Sequence, residues 1–258
     1  MQVISSKDNE QIKYIKKLKD KKFRDETNEY IVEGIKLVRE AIEEAVNIKT
    51  IVVCEDCEYT ESFEQSLLYE IAKYSCIYVT KKLFLSITDV VNPQGILAVV
   101  EKGDSIDKID YKEDIILALD GIQDPGNLGT IIRSAVAFNI DTIILSDDTV
   151  DLYNSKVIRA SQGMIFKINI VRKSLLEVIP NLKKQGYRIY ATNVKNGKSL
   201  KNVEKVSKFA IIMGNEGLGV KESISSLADD FLYIDMAKDC ESLNVAVAAS
   251  IILYELDK

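Results

Sequence analysis

The sequence predicts an α/β protein in two parts, and three observations carry that reading. Short apolar runs of strand length recur along all 258 residues, with helical patterns between them. In the second half these runs are largely apolar instead of alternating, which is the mark of parallel strands buried on both faces. Between the halves, "EKGDSIDKIDYKED" (101–114) is polar, charged and weakly periodic, a linker composition. The expected partition is therefore a small α/β sandwich over 1–102, a linker over 103–113, and a larger domain with a mainly parallel sheet over 114–258.

In the first part, 8–19 reads as a helix with Ile12, Ile15 and Leu18 on one face. A second helix over 33–46 carries Ile35, Val38, Ala41, Ile42 and Ala45. "KTIVVC" (49–54) is a buried strand, 62–73 a helix, "CIYVT" (76–80) a strand, 82–87 a short helix and "GILAVV" (95–100) a strand. In the second part, strands are expected at "IILAL" (115–119), "TIIL" (142–145), "FKINIV" (166–171), "YRIYA" (187–191), "FAIIM" (209–213) and "FLYI" (231–234). Helical patterns lie at 128–138, 154–162, 175–185, 220–227 and 243–256.

Composition removes several function classes. Apolar residues make up 47% of the chain, enough for a full core, yet no window holds 18 consecutive apolar residues, so no membrane-spanning helix is expected. The N-terminus "MQVISSKDNEQIKYIKK" has no apolar signal region, which makes the cytoplasm the expectation. The chain has no His. That excludes Ser-His-Asp, Cys-His and HExxH chemistry. Four Cys in a chain of this size do not make a disulfide framework. Cys54 and Cys57 form a C-x-x-C, but a structural zinc needs four ligands and no second close pair exists. No metal is expected, and Cys54 reads as a buried residue at a strand end.

The net charge of −6 argues against a protein coated in nucleic acid. Charge is local, however: 10–24, "EQIKYIKKLKDKKFR", carries seven basic and two acidic residues. Lys16, Lys17, Lys21, Lys22 and Arg24 are either a solvated helix face or a set of phosphate contacts.

Three loops in the second part lie just beyond strands, where parallel sheets bind ligands. In "DGIQDPGNLGTIIRSAVAF", Asn127 is a good N-cap for the helix after it. Arg133 sits on that helix, where Ile131, Ile132, Ala135 and Val136 already supply the packing. In "MGNEGLGV" (213–220), Gly214, Gly217 and Gly219 allow close approach of backbone to a ligand. Glu216 among them would repel a phosphate, so this loop suits a neutral or cationic ligand. In "YIDMAKDCESLNVAVAASIILYEL" (233–256), Ser242 can cap the final helix, with Asn244 in its first turn and small apolar residues beyond.

The segments "LDGIQDPGNLGTIIRSAVAF", "IIMGNEGLG" and "ESLNVAVAASIILYE" resemble the three signature motifs of the SpoU (TrmH-type) RNA 2′-O-ribose methyltransferases of the SPOUT superfamily, particularly the rRNA-modifying members. "YNSKVIRASQGMIFKI" resembles the segment between the first two motifs. "EYIVEGIKLVREAI" and "NPQGILAVV" are similar to that family's α/β/α RNA substrate-binding domain. The resemblance implies methyl transfer from S-adenosyl-L-methionine to a ribose 2′-hydroxyl, with rRNA favoured over tRNA as partner. An inactive RNA-binding member of the fold is the rival reading. It also implies a C-terminal SPOUT domain tied in a deep trefoil knot and a homodimer. The site residues it implies are Asn127, Arg133, Glu216, Ser242 and Asn244 as the polar set. Thr192, Asn193, Gly214, Gly217, Gly219, Ile234, Met236, Leu243 and Ala246 would lie along the cofactor. Asn127 would orient Arg133, which would clamp an RNA phosphate.

Two departures from the family pattern stand out. Asp235 replaces the usual Pro, which either attracts the sulfonium or disturbs its loop. Asn139 replaces a Gly, a mild change because Asn tolerates the left-handed conformation.

Overall fold

The computed structural model describes residues 3–57, 64–103, 109, 111, 114–140, 142–193, 197–204 and 206–256. They fall into two compact units: Met1–Gly103 with Tyr153–Phe166, and Asp104–Leu152 with Lys167–Lys258. Most of the expected linker lies outside the described residues.

The first unit contains β1 (Val3–Ile4), α1 (Glu10–Lys17), α2 (Lys21–Thr27), β2 (Glu29–Glu33), α3 (Ile35–Glu43), β3 (Ile48–Cys54), α4 (Gln65–Ile71), β4 (Cys76–Val79), α5 (Lys81–Phe84) and β5 (Ile96–Glu101). Its sheet runs β1-β4-β3-β5-β2. The first three strands are parallel, and β5 is antiparallel to both its neighbours. Ile12, Ile15 and Leu18 enter the core with Val52, Val79, Leu83, Phe84 and Leu97, as their helical spacing requires.

The basic run is not one helix. Asn9 takes the amides of Gln11 and Ile12 and starts α1, and Asp20 takes the amide of Phe23 and starts α2. Arg24 does not face solvent. It is 6% exposed, and its Nη1 donates to the carbonyl oxygens of Leu18 and Lys19 at 2.8 and 2.7 Å. Those groups lie at the end of α1, where orphan carbonyls need donors. Arg24 is therefore a brace between two helices, which corrects its assignment as an RNA contact.

Two further expectations change in this unit. Residues 29–33 form a strand, with Tyr30 and Val32 inward, and the helix waits until after Gly34, whose φ is +107°. Cys54 is buried, as expected, and so is Cys57, but the two are joined in a disulfide, where an unpaired core thiol was expected at Cys54.

The second unit contains β6 (Ile115–Leu119), α6 (Pro125–Ala137), β7 (Thr142–Leu145), β8 (Asn169–Arg172), α8 (Leu175–Lys184), β9 (Arg188–Thr192), β10 (Lys198–Ser199), β11 (Phe209–Met213), α9 (Glu222–Ser225), β12 (Asp230–Tyr233) and α10 (Val245–Leu256). The intervening α7 (Ser155–Ser161) belongs to the first unit. There Tyr153 packs on Tyr30 with ring centres 4.5 Å apart, and the Lys102 ammonium lies 5.0 Å from the Tyr153 ring.

The sheet runs β10-β12-β9-β11-β6-β7-β8, and every pairing is parallel. Ile116 and Ala118 pack with Val178, Ile179 and Leu182 of α8, while Leu117 and Leu119, which alternate with them, are equally buried. Both faces are covered, which is why these strands read as continuous apolar runs. The expected strand at 166–171 is displaced: Met164–Phe166 is a 3₁₀ turn and pairing starts at Asn169. After α6, Asn139 adopts φ +55°, the conformation expected of it. No helix among the described residues is long and apolar enough to cross a membrane.

Arg24→Met should destabilise the chain by about 2 kcal/mol, because two charged hydrogen bonds to buried carbonyls are lost. Urea unfolding checks this. An unchanged midpoint would return Arg24 to the surface.

Candidate functional site

Strands β12, β9 and β11 are parallel neighbours, so their carboxyl ends share one edge of the sheet. The loops leaving them, with the start of α10, line a cavity of about 350 Å³, within the size range of ligand sites. Eight of the nine residues expected along the cofactor surround it: Thr192, Asn193, Gly214, Gly217, Gly219, Ile234, Met236 and Leu243. Ala246 does not line it and is 3% exposed. The lining residues of α10 are Val245, Ala248 and Ile252. At i, i+3 and i+7 they form one helical face, and Ala246 lies about 100° round from it.

Gly214 is required by the loop's own backbone. A Cβ there would lie 2.1 Å from the carbonyl carbon of Gly219 and the nitrogen of Val220. The turn is closed by paired backbone bonds between Asn215 and Gly219, both 3.0 Å.

The three motifs meet through side chains. Asn244 Nδ2 donates to Asn127 Oδ1 at 2.9 Å, and Asn127 Nδ2 donates to Glu216 Oε1 at 3.0 Å. Glu216 also accepts from the amides of Asp124 at 3.0 Å and Gln123 at 3.1 Å. Its partial burial works to raise its pKa, but hydrogen bonds from Asn127 and from the amides of Asp124, Glu216 and Gln123 prevail and hold it below the usual carboxylate value. Glu216 is thus an ionised clamp on the loop before α6.

The capping roles differ from those expected. Asp124, not Asn127, caps α6, accepting from the Asn127 amide at 2.9 Å, with Pro125 as first helical residue. That leaves the Asn127 side chain free to join the other motifs. Asn244, not Ser242, caps α10, accepting from the amides of Ala246 and Val247 at 2.9 and 3.3 Å. Ser242 lines the cavity instead.

Arg133 is exposed, with no hydrogen bond or ion pair among the described residues. Asn127 does not orient it. Six residues along a helix turn the side chain by about 120° and carry it about 9 Å along the axis, and Asn127 is already engaged with Glu216 and Asn244.

Among the described residues, the cavity lining contains one carboxylate, Glu216, and no Lys or Arg. A carboxylate on the lining suits a neutral or cationic ligand better than a phosphate. Asp235 contributes nothing to the lining. Its carboxylate accepts from Ser199 Oγ at 2.6 Å and lies 3.7 Å from Lys201 Nζ, so it is engaged on the β10 side.

One network went unrecognised in the sequence. Asp120 is 1% exposed at the end of β6 and accepts from the Lys221 amide at 2.8 Å; Lys221 Nζ reaches Asp120 at 3.1 Å and Asp148 at 2.6 Å. It ties the end of the glycine loop to the strand beneath. An Asp directly after a buried strand was the available signal.

Residues 114–254 match the sequence model of the SpoU rRNA Methylase family, and 9–98 that of the MRM3-like substrate binding domain. The 23S rRNA (guanosine(2553)-2′-O)-methyltransferase RlmP of Bacillus subtilis is 36% identical over 256 residues, 99% of each chain. The AdoMet-bound rRNA methyltransferase from Sinorhizobium meliloti is similar in structure, with a TM-score of 0.86 and 31% identity over 99% of this chain and 97% of that one. The SpoU methyltransferase AviRb from Streptomyces viridochromogenes, in complex with AdoMet, gives 0.84 and 25% over 96% and 97%.

A carboxyl with a lower pKa folded than unfolded stabilises the fold above the unfolded value and stops doing so as pH falls through the folded one. Glu216 therefore stabilises at neutral pH and loses its contribution below about pH 4.5. Glu216→Gln should cost about 1 kcal/mol at pH 7, the figure being held down by solvent screening. Its melting temperature should fall less steeply than the wild type's in acid. Parallel curves for the two proteins would refute the clamp.

Proposed function

Because the chain belongs to the SpoU rRNA methylase family, we propose that it is an S-adenosylmethionine-dependent methyltransferase acting on a ribose 2′-hydroxyl of ribosomal RNA. The observation that carries this reading is the cavity at the strand ends, with the Glu216 carboxylate on its lining and the three motifs bonded to one another.

The residues present fit the cofactor. The lining is mixed apolar and polar, Gly214 and Gly219 bring backbone close, and Glu216 supplies a negative charge that would suit a sulfonium. S-adenosylmethionine, when bound, supplies an electrophilic methyl group. The chain's own work is to position and to exclude water. Glu216, held ionised and already accepting from Asn127 and two backbone amides, is a weak base and serves as a fastener. Ser242, on the cavity wall, is placed to bond the ribose. Arg133 is a free cation on α6 and clamps an RNA phosphate bidentately. The proton then leaves the 2′-hydroxyl toward that phosphate, with the Arg133 guanidinium assisting by holding the phosphate in place. The need for a 2′-hydroxyl selects RNA over DNA.

The remaining features of this reading are also proposals. Lys16, Lys17, Lys21 and Lys22 on α1 and α2 contact RNA phosphates, with the first unit as the substrate-binding domain over 1–102 and the methyltransferase domain over 114–258. The second unit is a deep trefoil knot; in support, β11 enters between β6 and β9, both of which precede it in the chain. The protein is a homodimer; in support, Val247, Ile251 and Tyr254 are 47%, 39% and 52% exposed at i, i+4 and i+7 on α10. It acts in the cytoplasm, where its substrate class is found.

Purified protein should transfer labelled methyl from S-adenosylmethionine to rRNA, with 2′-O-methylation mapped by blocked primer extension. Arg133→Ala should lower that transfer by about 10²–10³ and leave cofactor affinity nearly intact. A variant within a few-fold of wild type would remove Arg133 from the mechanism. Methylation of tRNA alone would change the substrate, and no transfer to any RNA would leave an RNA-binding member of the fold.

A further inference from the structure

Leu218 is 90% exposed on the loop that lines the cavity. A lone exposed leucine is ordinary, but this one is held out deliberately by its surroundings. Its neighbours are Gly217 and Gly219, so no adjacent side chain shields it. Asn215 Oδ1 accepts from the amides of Gly217 and Leu218 at 2.9 and 3.0 Å, and Asn215 Nδ2 donates to the Gly121 carbonyl at 2.8 Å. Together with the paired bonds between Asn215 and Gly219, these lock the turn. Leu218 cannot reach the sheet without breaking them. Little conformational freedom of its backbone is left to lose on binding.

The acceptor ribose has to come to the cavity on whose rim Leu218 stands. Presenting a 2′-hydroxyl to a recessed site takes the nucleotide out of its stack, and the base then shows an apolar face to water. Glycines on both sides leave room for a flat ring. We propose that Leu218 packs against the face of the acceptor nucleotide's base in place of the lost stacking partner, and so is a substrate-contact residue of the reaction. This rests on the functional reading above. An apolar side chain on a π-face carries no hydrogen-bond code, so Leu218 contributes affinity and placement and leaves base identity to other groups.

The test compares wild type, Leu218→Ser and Leu218→Met as full chains. Methyl transfer to an unmodified 23S rRNA transcript gives KM and kcat for RNA, calorimetry gives the dissociation constant for S-adenosylmethionine, and gel filtration gives the oligomeric state. Leu218→Ser should raise KM for RNA on the order of tenfold, or ~1.4 kcal/mol, with kcat within a few-fold. Cofactor affinity, oligomeric state and melting temperature should not move, since the side chain is exposed. Leu218→Met, of similar volume, should restore KM. An unchanged KM would overturn the proposal. So would a matching loss of cofactor affinity, which would make Leu218 a cover for the cofactor, or dissociation of the oligomer, which would make it a contact between copies. A wild type that methylates no RNA would overturn the functional reading itself, whereas an active wild type with an unaffected Leu218→Ser overturns only this contact.

Discussion

The site depends on one chain of hydrogen bonds, from Asn244 to Asn127 to Glu216, whose carboxylate also accepts from the amides before α6. Each asparagine uses both ends of its amide. Asn244 caps α10 with its oxygen and reaches Asn127 with its nitrogen; Asn127 passes the bond to the carboxylate. An amide is required at both steps because each residue must accept and donate at once. The chain joins segments 89 and 117 residues apart in sequence. Other bonds tie the glycine loop to β6 through Lys221 and Asp120, but this chain joins it by side chains to the start of α10 as well.

Charge is kept in separate places by the same kind of pairing. Lys221 directly follows the glycine loop, yet its ammonium is engaged by Asp120 and Asp148 and it does not line the cavity. Asp235 is likewise held by Ser199 and Lys201 away from the cavity. Glu216 remains the only charge on the lining among the described residues. In the function proposed above, positive charge for phosphate comes from Arg133 on α6 and from the lysines of α1 and α2.

How much of this was legible in the sequence follows from the physics of each element. Strands β6, β7, β9, β11 and β12 were placed within a residue or so, because burial on both faces leaves unbroken apolar runs. The two-residue strands β1 and β10 are too short to carry a period, and β2 alternates beside a helical pattern that masks it. Of the three loops singled out after strands, those following β11 and β12 line the cavity, whereas the one following β6 does not and joins them through Asn127. The division of labour among the site's polar residues was not legible: Asp124 and Asn127 are both good caps, as are Ser242 and Asn244, and only tertiary bonds decide between them. Pro125, favoured at the first helical position, was the overlooked signal for Asp124. Arg24 looks like its lysine neighbours in sequence, and only the fold shows that it is inward. Nor does the spacing of Cys54 and Cys57 say whether two buried thiols are joined.

The most direct measurement is the affinity of Asn127→Ala for S-adenosylmethionine by calorimetry. Asn127 does not line the cavity, so any effect must pass through the hydrogen-bonded chain to Glu216 and Asn244. Loss of its two bonds leaves polar groups unpaired at a cost of about 1–3 kcal/mol. Cofactor binding should therefore weaken on the order of tenfold or more in a protein that still folds cooperatively. An unchanged dissociation constant would mean that the three loops hold their places without the chain, and would contradict the account.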